Sequence, residues 1–179
     1  ASKCRYIFIC LPTPTIEGKC NTDDLFKIIK QINEYPRYVN NIFIIRSTVY
    51  PGFNKFVQTT LGIEHVVSNP EFLSEDTWEK DAKHPSLIVL GGESQRDVQA
   101  VKGLYAGRFK YVDIIVTDSV TAELIKYSFN MFFSTKVMFA NELYDYAQKT
   151  KANYQTIKKV LETHIWGSKN HFTIDYKGK

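Results

Sequence analysis

The sequence predicts an α/β fold: a mainly parallel, doubly wound sheet followed by a region built on one long helix. Two observations carry this. Over the first two thirds of the chain, apolar runs of strand length alternate with amphipathic helical stretches, the rhythm of βαβ units joined by right-handed crossovers. From Ser119 to Thr150 there is then neither Pro nor Gly, and apolar side chains keep a helical period throughout.

The opening "CRYIFICLP" is apolar at nearly every position and rich in aromatic and β-branched side chains, which suggests a strand covered on both faces, with Cys10 as a buried structural thiol. A turn-rich segment, "PTPTIEGKCN", follows. "TDDLFKIIKQINEY" spaces Leu25, Ile28, Ile29 and Ile32 as one helix face, with Thr22 as N-cap and Asp23 and Asp24 in the first turn. "NIFIIRSTV" is a second buried strand, and Pro51 stands where a first helical turn could begin. "EHVVSNP" is a short strand stopped by Pro70, and "PSLIVLGG" is another, ended by Gly91 and Gly92. Ser94 caps the helix in "SQRDVQAVKGLYAGRF", whose inner face carries Val98, Val101 and either Leu104 or Tyr105. "YVDIIVTD" is the last strand.

The helix beginning at Ser119 is far longer than the average of about 11 or 12 residues, and at about 45 Å it exceeds one crossover. Phe129, Phe132, Phe133 and Phe139 give it an apolar face too wide to bury alone, so a partner surface is expected. "NYQTIKKVLETHI" is a shorter helix, and the polar tail after it is expected to be poorly ordered. The expected division is residues 1–118 for the sheet domain and 119–179 for the helical region.

Composition narrows the function. The 179 residues, 44% hydrophobic and 14% aromatic, suffice for a substantial core. A net charge of +4, with basic residues interleaved among acids, gives no nucleic-acid footprint. No apolar run approaches the roughly 20 residues of a membrane helix, and the start lacks the features of a signal peptide. Cys4, Cys10 and Cys20 form neither a disulfide framework nor a CxxC pair. The expectation is a soluble, cytoplasmic chain without a metal site.

Two constellations invite chemistry. Glu71 and Glu75 lie four apart in "NPEFLSE", either as helix-start acids favoured by the dipole or as members of a site. Lys126 and Asn130 are i and i+4 on the long helix and interrupt its apolar stripe. The lysine is there either snorkelling to solvent or serving as a fixed cation for a developing oxyanion. Thr48 closes a buried strand, where open α/β sheets bind ligands. No Gly-x-Gly-x-x-Gly turn for a dinucleotide pyrophosphate is present.

Four stretches in order, "LPTPT" (11–15), "RSTVYPGF" (46–53), "NPEFLSEDTWEKDAKHPSLIVLGG" (69–92) and "TAELIKYSFNMFFSTKVMFANEL" (121–143), resemble the UDP-glucose/GDP-mannose dehydrogenase family. The resemblance implies the C-terminal half of a Rossmann-like, NAD-binding sheet followed by the family's central dimerisation region. It implies oxidation of a nucleotide sugar, UDP-glucose foremost, at C6 to the carboxylate, with two NAD molecules in succession and a cysteine-bound thiohemiacetal and thioester. By the same resemblance Thr13, Thr48 and Glu75 stand near the cofactor, and Thr48 also holds a catalytic water. Glu71 acts as base or water-orienting group, and Lys126 and Asn130 contact the sugar and the oxyanion. A homodimer through the long helix is implied as well.

The chain departs from the family's pattern in places. Ser74 stands where Arg is common, and Asp76-Thr77-Trp78 replaces a Gly/Ala stretch. The Gly-rich phosphate loop and the Gly-rich catalytic-cysteine segment are not in the sequence, which implies a fragment inactive by itself. A non-catalytic assembly module derived from the family, or a β-hydroxyacid dehydrogenase relative, are the alternatives.

Overall fold

A computed structural model describes residues 4–34 and 41–163, so the tail beyond Thr163, with its expected poor order, lies outside the described residues. In chain order the first elements are β1 (Tyr6–Ile9), β2 (Thr15–Ile16), β3 (Lys19–Cys20), α1 (Asp23–Glu34), β4 (Ile42–Ile45), α2 (Phe53–Leu61) and β5 (Val66–Ser68). Then come α3 (Trp78–Lys83), β6 (Leu87–Gly91), α4 (Gln95–Arg108), β7 (Asp113–Thr117), α5 (Ser119–Thr150) and α6 (Tyr154–Thr163). The chain forms two compact units, residues 1–127 and 128–179, with the border inside α5.

In the first unit the sheet order is β1-β4-β5-β6-β7, while β2 and β3 make a separate small hairpin. All neighbours in the main sheet run parallel except β5 and β6, which pair antiparallel at Ser68 and Gly91. β4 is central enough that Ile42, Phe43, Ile44 and Ile45 are all buried, as an unbroken apolar run demands. Alternate β4 residues feed two cores. Phe43 and Ile45 face Leu25, Ile29, Phe53 and Val57 of α1 and α2, whereas Ile42 and Ile44 face Val98 and Val101 of α4.

The strands at the ends of the sheet differ from β4. Among the described residues β1 and β7 each have a single neighbour in the sheet, and Phe8 of β1 is 43% and Ile115 of β7 48% exposed. The same open edge corrects the expectation for Cys10, which is exposed rather than buried.

Several local signals hold with small shifts. Ser94 caps α4 by accepting from the Asp97 N–H, and Tyr105, not the exposed Leu104, joins the core. Helix α1 begins at Asp23, but its orphan N–H is taken by Asn21 Oδ1. Helix α2 starts at Phe53, two residues past Pro51, with Gly52 at φ 96° as its N-cap. A Cβ on Gly91 would lie 2.5 Å from both Ala122 Cβ and Asp118 O, so glycine there is what lets the start of α5 press against β6.

In the second unit Ala140 and Ala147 of α5 and Tyr154 of α6 are buried, and Lys151, between the two helices, lies in the left-handed region. Tyr144 packs edge-on against Tyr154 at 5.2 Å between ring centroids. Phe129, Met131, Phe132, Phe133, Met138 and Phe139 are each 39% exposed or more. Among the described residues no helix is long and apolar enough to cross a membrane.

Candidate active site

The carboxyl ends of β1, β4 and β5 gather in the first unit. The parallel ladder runs on past the strands, with the Arg46 N–H donating to Ile9 O at 2.9 Å and the Asn69 N–H to Ile45 O at 2.8 Å. This sets the segments after the three strands side by side, where open α/β sheets bind ligands. Thr13 and Thr48 meet there: the Thr13 hydroxyl donates to the Thr48 carbonyl at 2.5 Å. The Cys20 thiol reaches the same carbonyl at 3.7 Å. Burial, followed by the hydrogen bond and charge of Cys20, pushes the neighbouring Tyr127 phenol up to about 12.

Residues 69–74 are an irregular loop and α3 begins only at Trp78, so neither Glu71 nor Glu75 sits in a helical first turn. The helix-dipole reading of these acids fails. Glu71 instead reaches Lys126, with Oε1 2.9 Å from Nζ, while its Oε2 accepts from the Leu73 N–H at 2.7 Å. The Lys126 side chain is 10% exposed and that of Glu71 28%. Lys126 does not snorkel outward; its Nζ also stands 5.8 Å from the Phe72 ring centroid, within cation–π reach.

The remaining expected site residues are placed differently. Glu75 stands exposed in the turn of residues 75–77 and takes no part in the Glu71–Lys126 pair. Asn130 is exposed in the second unit, four residues along α5 from Lys126.

Residue types alone did not mark what holds the Glu71 loop. Asn69 is 1% exposed. Its Oδ1 accepts from Arg46 Nη1 at 2.7 Å and from the Tyr105 hydroxyl, and its Nδ2 donates to Val89 O at 2.9 Å. Arg46 Nη1 lies 2.9 Å from the Tyr105 hydroxyl as well. Burial raises the Tyr105 phenol, and Arg46 works against that rise. The one signal available beforehand was the Asn-Pro break at 69–70. On the far side of the loop Asp81 Oδ2 accepts from Ser74 N–H at 3.1 Å and from the Thr77 hydroxyl at 2.7 Å. A cleft of about 560 Å³ opens here, with Arg46, Asn69, Glu71, Phe8, Tyr105 and Phe109 in its wall.

A second cluster, His65 with Asp97, sits at the start of α4, Nδ1 to Oδ2 2.8 Å. Burial alone would raise Asp97, but bonds to Ser94, His65 and Arg96 hold its carboxyl below the ordinary range. Its position at a helix N-terminus marks it as structural. Among the described residues no group of three or more His, Cys, Asp or Glu could hold a metal ion.

Residues 1–108 match the family model "UDP-glucose/GDP-mannose dehydrogenase family, NAD binding domain", and residues 120–176 match that family's central domain. An uncharacterized protein, MJ1054, of Methanocaldococcus jannaschii is 35% identical over 163 residues, covering 87% of this chain and 18% of that protein. A UDP-glucose 6-dehydrogenase of Rickettsia typhi is 32% identical over 160 residues, covering 86% of this chain and 36% of that enzyme. The chain thus spans well under two thirds of the length of these relatives. The crystal structure of a ternary complex of GDP-mannose dehydrogenase from Pseudomonas aeruginosa superposes with a TM-score of 0.77 at 26% identity, covering 96% of this chain and 41% of that one. The chain, with its mainly parallel sheet and long helix, belongs to the UDP-glucose/GDP-mannose dehydrogenase family.

Proposed function

We propose that this chain carries part of the reaction centre of an NAD-dependent nucleotide-sugar 6-dehydrogenase that acts on UDP-glucose or a close relative. The observation that carries the reading is the Glu71–Lys126 pair, a half-sequestered carboxylate and ammonium at the carboxyl ends of the strands of a family NAD-binding domain. Lys126 presents a fixed positive charge where an alkoxide or oxyanion develops. Glu71 orients that ammonium and offers a carboxylate to hold a water or take a proton. Thr48, fixed through its carbonyl by Thr13, supplies a hydroxyl from the end of β4. Asn130 is kept, from the family resemblance alone, as an amide donor for the sugar.

NAD is the cofactor that the matched domain serves in the family, and it supplies the hydride acceptor. The donor set here suits its nicotinamide-ribose end: the hydroxyls of Thr13 and Thr48 and the exposed carboxylate of Glu75 are groups that ribose hydroxyls and a carboxamide can bond. It does not suit the pyrophosphate, for which the chain holds no Gly-x-Gly-x-x-Gly turn. Taking the C6 alcohol to the carboxylate removes two hydrides and adds one water, so two NAD are consumed per sugar.

None of the three cysteines stands in a Gly-rich segment of the kind that the family resemblance assigns to the nucleophile. Cys4 and Cys10 are exposed, and Cys20 is engaged with the Thr48 carbonyl. We therefore expect no turnover from the 179 residues alone. Incubating the chain with UDP-glucose and NAD while following NADH absorbance tests this, and clear turnover would overturn it. Calorimetry with UDP-glucose tests the site itself: Lys126→Met should abolish whatever binding the unaltered chain shows, and equal binding by both would sink the assignment. The exposed aromatic face of α5 is read as a homodimer surface in a cytoplasmic protein. A light-scattering mass of one chain at high concentration would remove the dimer.

A further inference from the structure

Glu123 lies three residues before Lys126 on α5 and is 3% exposed, yet none of the chemistry above uses it. Its carboxylate accepts from two backbone groups, the N–H of Gly52 and, at 2.9 Å, that of Asn54. These groups open α2, whose N-cap Gly52 has no side chain of its own to cap with. The chain of contacts continues. Asn54 Nδ2 donates to Ser68 Oγ at 2.7 Å. Asn54 is 0% and Ser68 2% exposed, so all three polar side chains are sealed from water, and Asn54 Oδ1 is left there without a hydrogen-bond partner.

Each member of this set adjoins a segment that carries part of the proposed site. Gly52 and Asn54 follow Thr48, Ser68 ends the strand that leads into Glu71, and Glu123 shares a helix with Lys126. We propose that Glu123 is a positioning residue. Through Gly52, Asn54 and Ser68 it sets the register of α5 against the ends of β4 and β5, so that Lys126 meets Glu71. The inference rests on the reading of Thr48, Glu71 and Lys126 as the site.

A carboxylate at a helix N-terminus is favourable in its own right, so capping of α2 is the rival explanation. Capping does not require the acid to come from the lysine-bearing helix, nor to reach the strand before Glu71 through Asn54. Burial pushes the Glu123 carboxyl above its ordinary range, and the N–H bonds of Asn54 and Gly52 oppose this.

Side-chain NMR of the whole chain separates the two roles without any ligand. The readouts are the cross-relaxation between the Lys126 ε-protons and the Phe72 ring, and the position of the Leu73 amide signal, whose proton goes to Glu71. Glu123→Gln offers one acceptor and turns an NH₂ toward the second amide. The expected result is loss of the Lys126–Phe72 contact and displacement of the Leu73 signal. If only the amides of Gly52 and Asn54 move and the Lys126–Phe72 contact persists, Glu123 is a cap and the proposal falls. Asn54→Ala guards against a misfolded Gln variant, since it leaves the capped backbone N–H in place and cuts only the link to Ser68. It should displace the Leu73 signal too, and an unmoved signal there also overturns the proposal. These readouts do not depend on NAD or sugar binding, so failure of the site assignment by calorimetry would be seen separately.

Discussion

The loop after β5 carries two carboxylates four residues apart, and the chain treats them oppositely. Glu71 keeps 28% of its side-chain exposure, bonds Lys126 and accepts from the Leu73 N–H, whereas Glu75 stands in an exposed turn. The difference begins upstream. Glu71 is two residues past Asn69, which is buried and bonded to Arg46, Tyr105, Val89 and the β4 backbone. By Glu75 the anchoring has passed to Asp81, a surface acid that holds Ser74 and Thr77 and leaves the side chain between them outside. Proximity in sequence therefore says little about which acid is held and which is presented.

The strongest way to break the contrast is at its origin. Asn69→Ala strands Arg46 and the Tyr105 hydroxyl in a buried place and frees the backbone before Glu71. A loss of about 3 kcal/mol is expected, read as a lower urea midpoint. The Leu73 amide should then exchange as fast as those of the turn at Glu75. A much smaller loss, under about 1 kcal/mol, would mean that Pro70 and the strand ladder hold the loop unaided.

Next in size is Glu71→Gln. It leaves Lys126, 10% exposed, against a neutral amide, and about 2 kcal/mol should be lost, less than for a fully buried pair because Glu71 still meets solvent. Lys126→Met should cost less, since Phe72 gives the new side chain an apolar neighbour. If the lysine variant proves the less stable of the two, the pair is held by the cation–π contact rather than by the carboxylate.

The same contrast shows which features were legible in the residues. Strand-length apolar runs and the uninterrupted period of α5 fixed the fold class, because burial on two faces and a helical stripe leave direct patterns. Thr48, Glu71 and Lys126 stood out through the order and spacing of whole motifs, and the ion pair between the last two is a contact across 55 residues that no local pattern encodes. Arg46, Asn69 and Tyr105 were missed for the same reason: each is an ordinary polar residue until the three strands align. Cys10 was misjudged because an apolar run does not reveal that its strand lies at a sheet edge.

A gentler handle is pH. Bonds from the Thr77 hydroxyl and the Ser74 N–H hold the Asp81 carboxyl below its ordinary 3.8. A lowered folded-state value contributes order that is present above that ordinary value and lost as pH falls through the lower one. Acidification below about pH 4 should thus loosen the Ser74–Thr77 segment. Asp81→Asn should abolish the dependence, with the Ser74 amide shift as the measure. A Ser74 signal unmoved by acid would place the anchor of this segment elsewhere.

Glu75 should give the smallest change in stability and the sharpest division of roles. Its carboxylate has no buried contact to lose, so Glu75→Gln should alter stability by less than about 0.5 kcal/mol. If it is presented to the cofactor as proposed, the same change weakens NAD binding several-fold and leaves UDP-glucose binding unchanged, because a neutral amide accepts from a ribose hydroxyl less strongly than a carboxylate does. Glu71→Gln should do the reverse, since its partner Lys126 is assigned to the sugar. Measuring both ligands against both variants by calorimetry turns the opposed surroundings of the two acids into opposed functions. Parallel losses from both variants would show instead that the loop acts as one unit, whatever the exposure of its side chains.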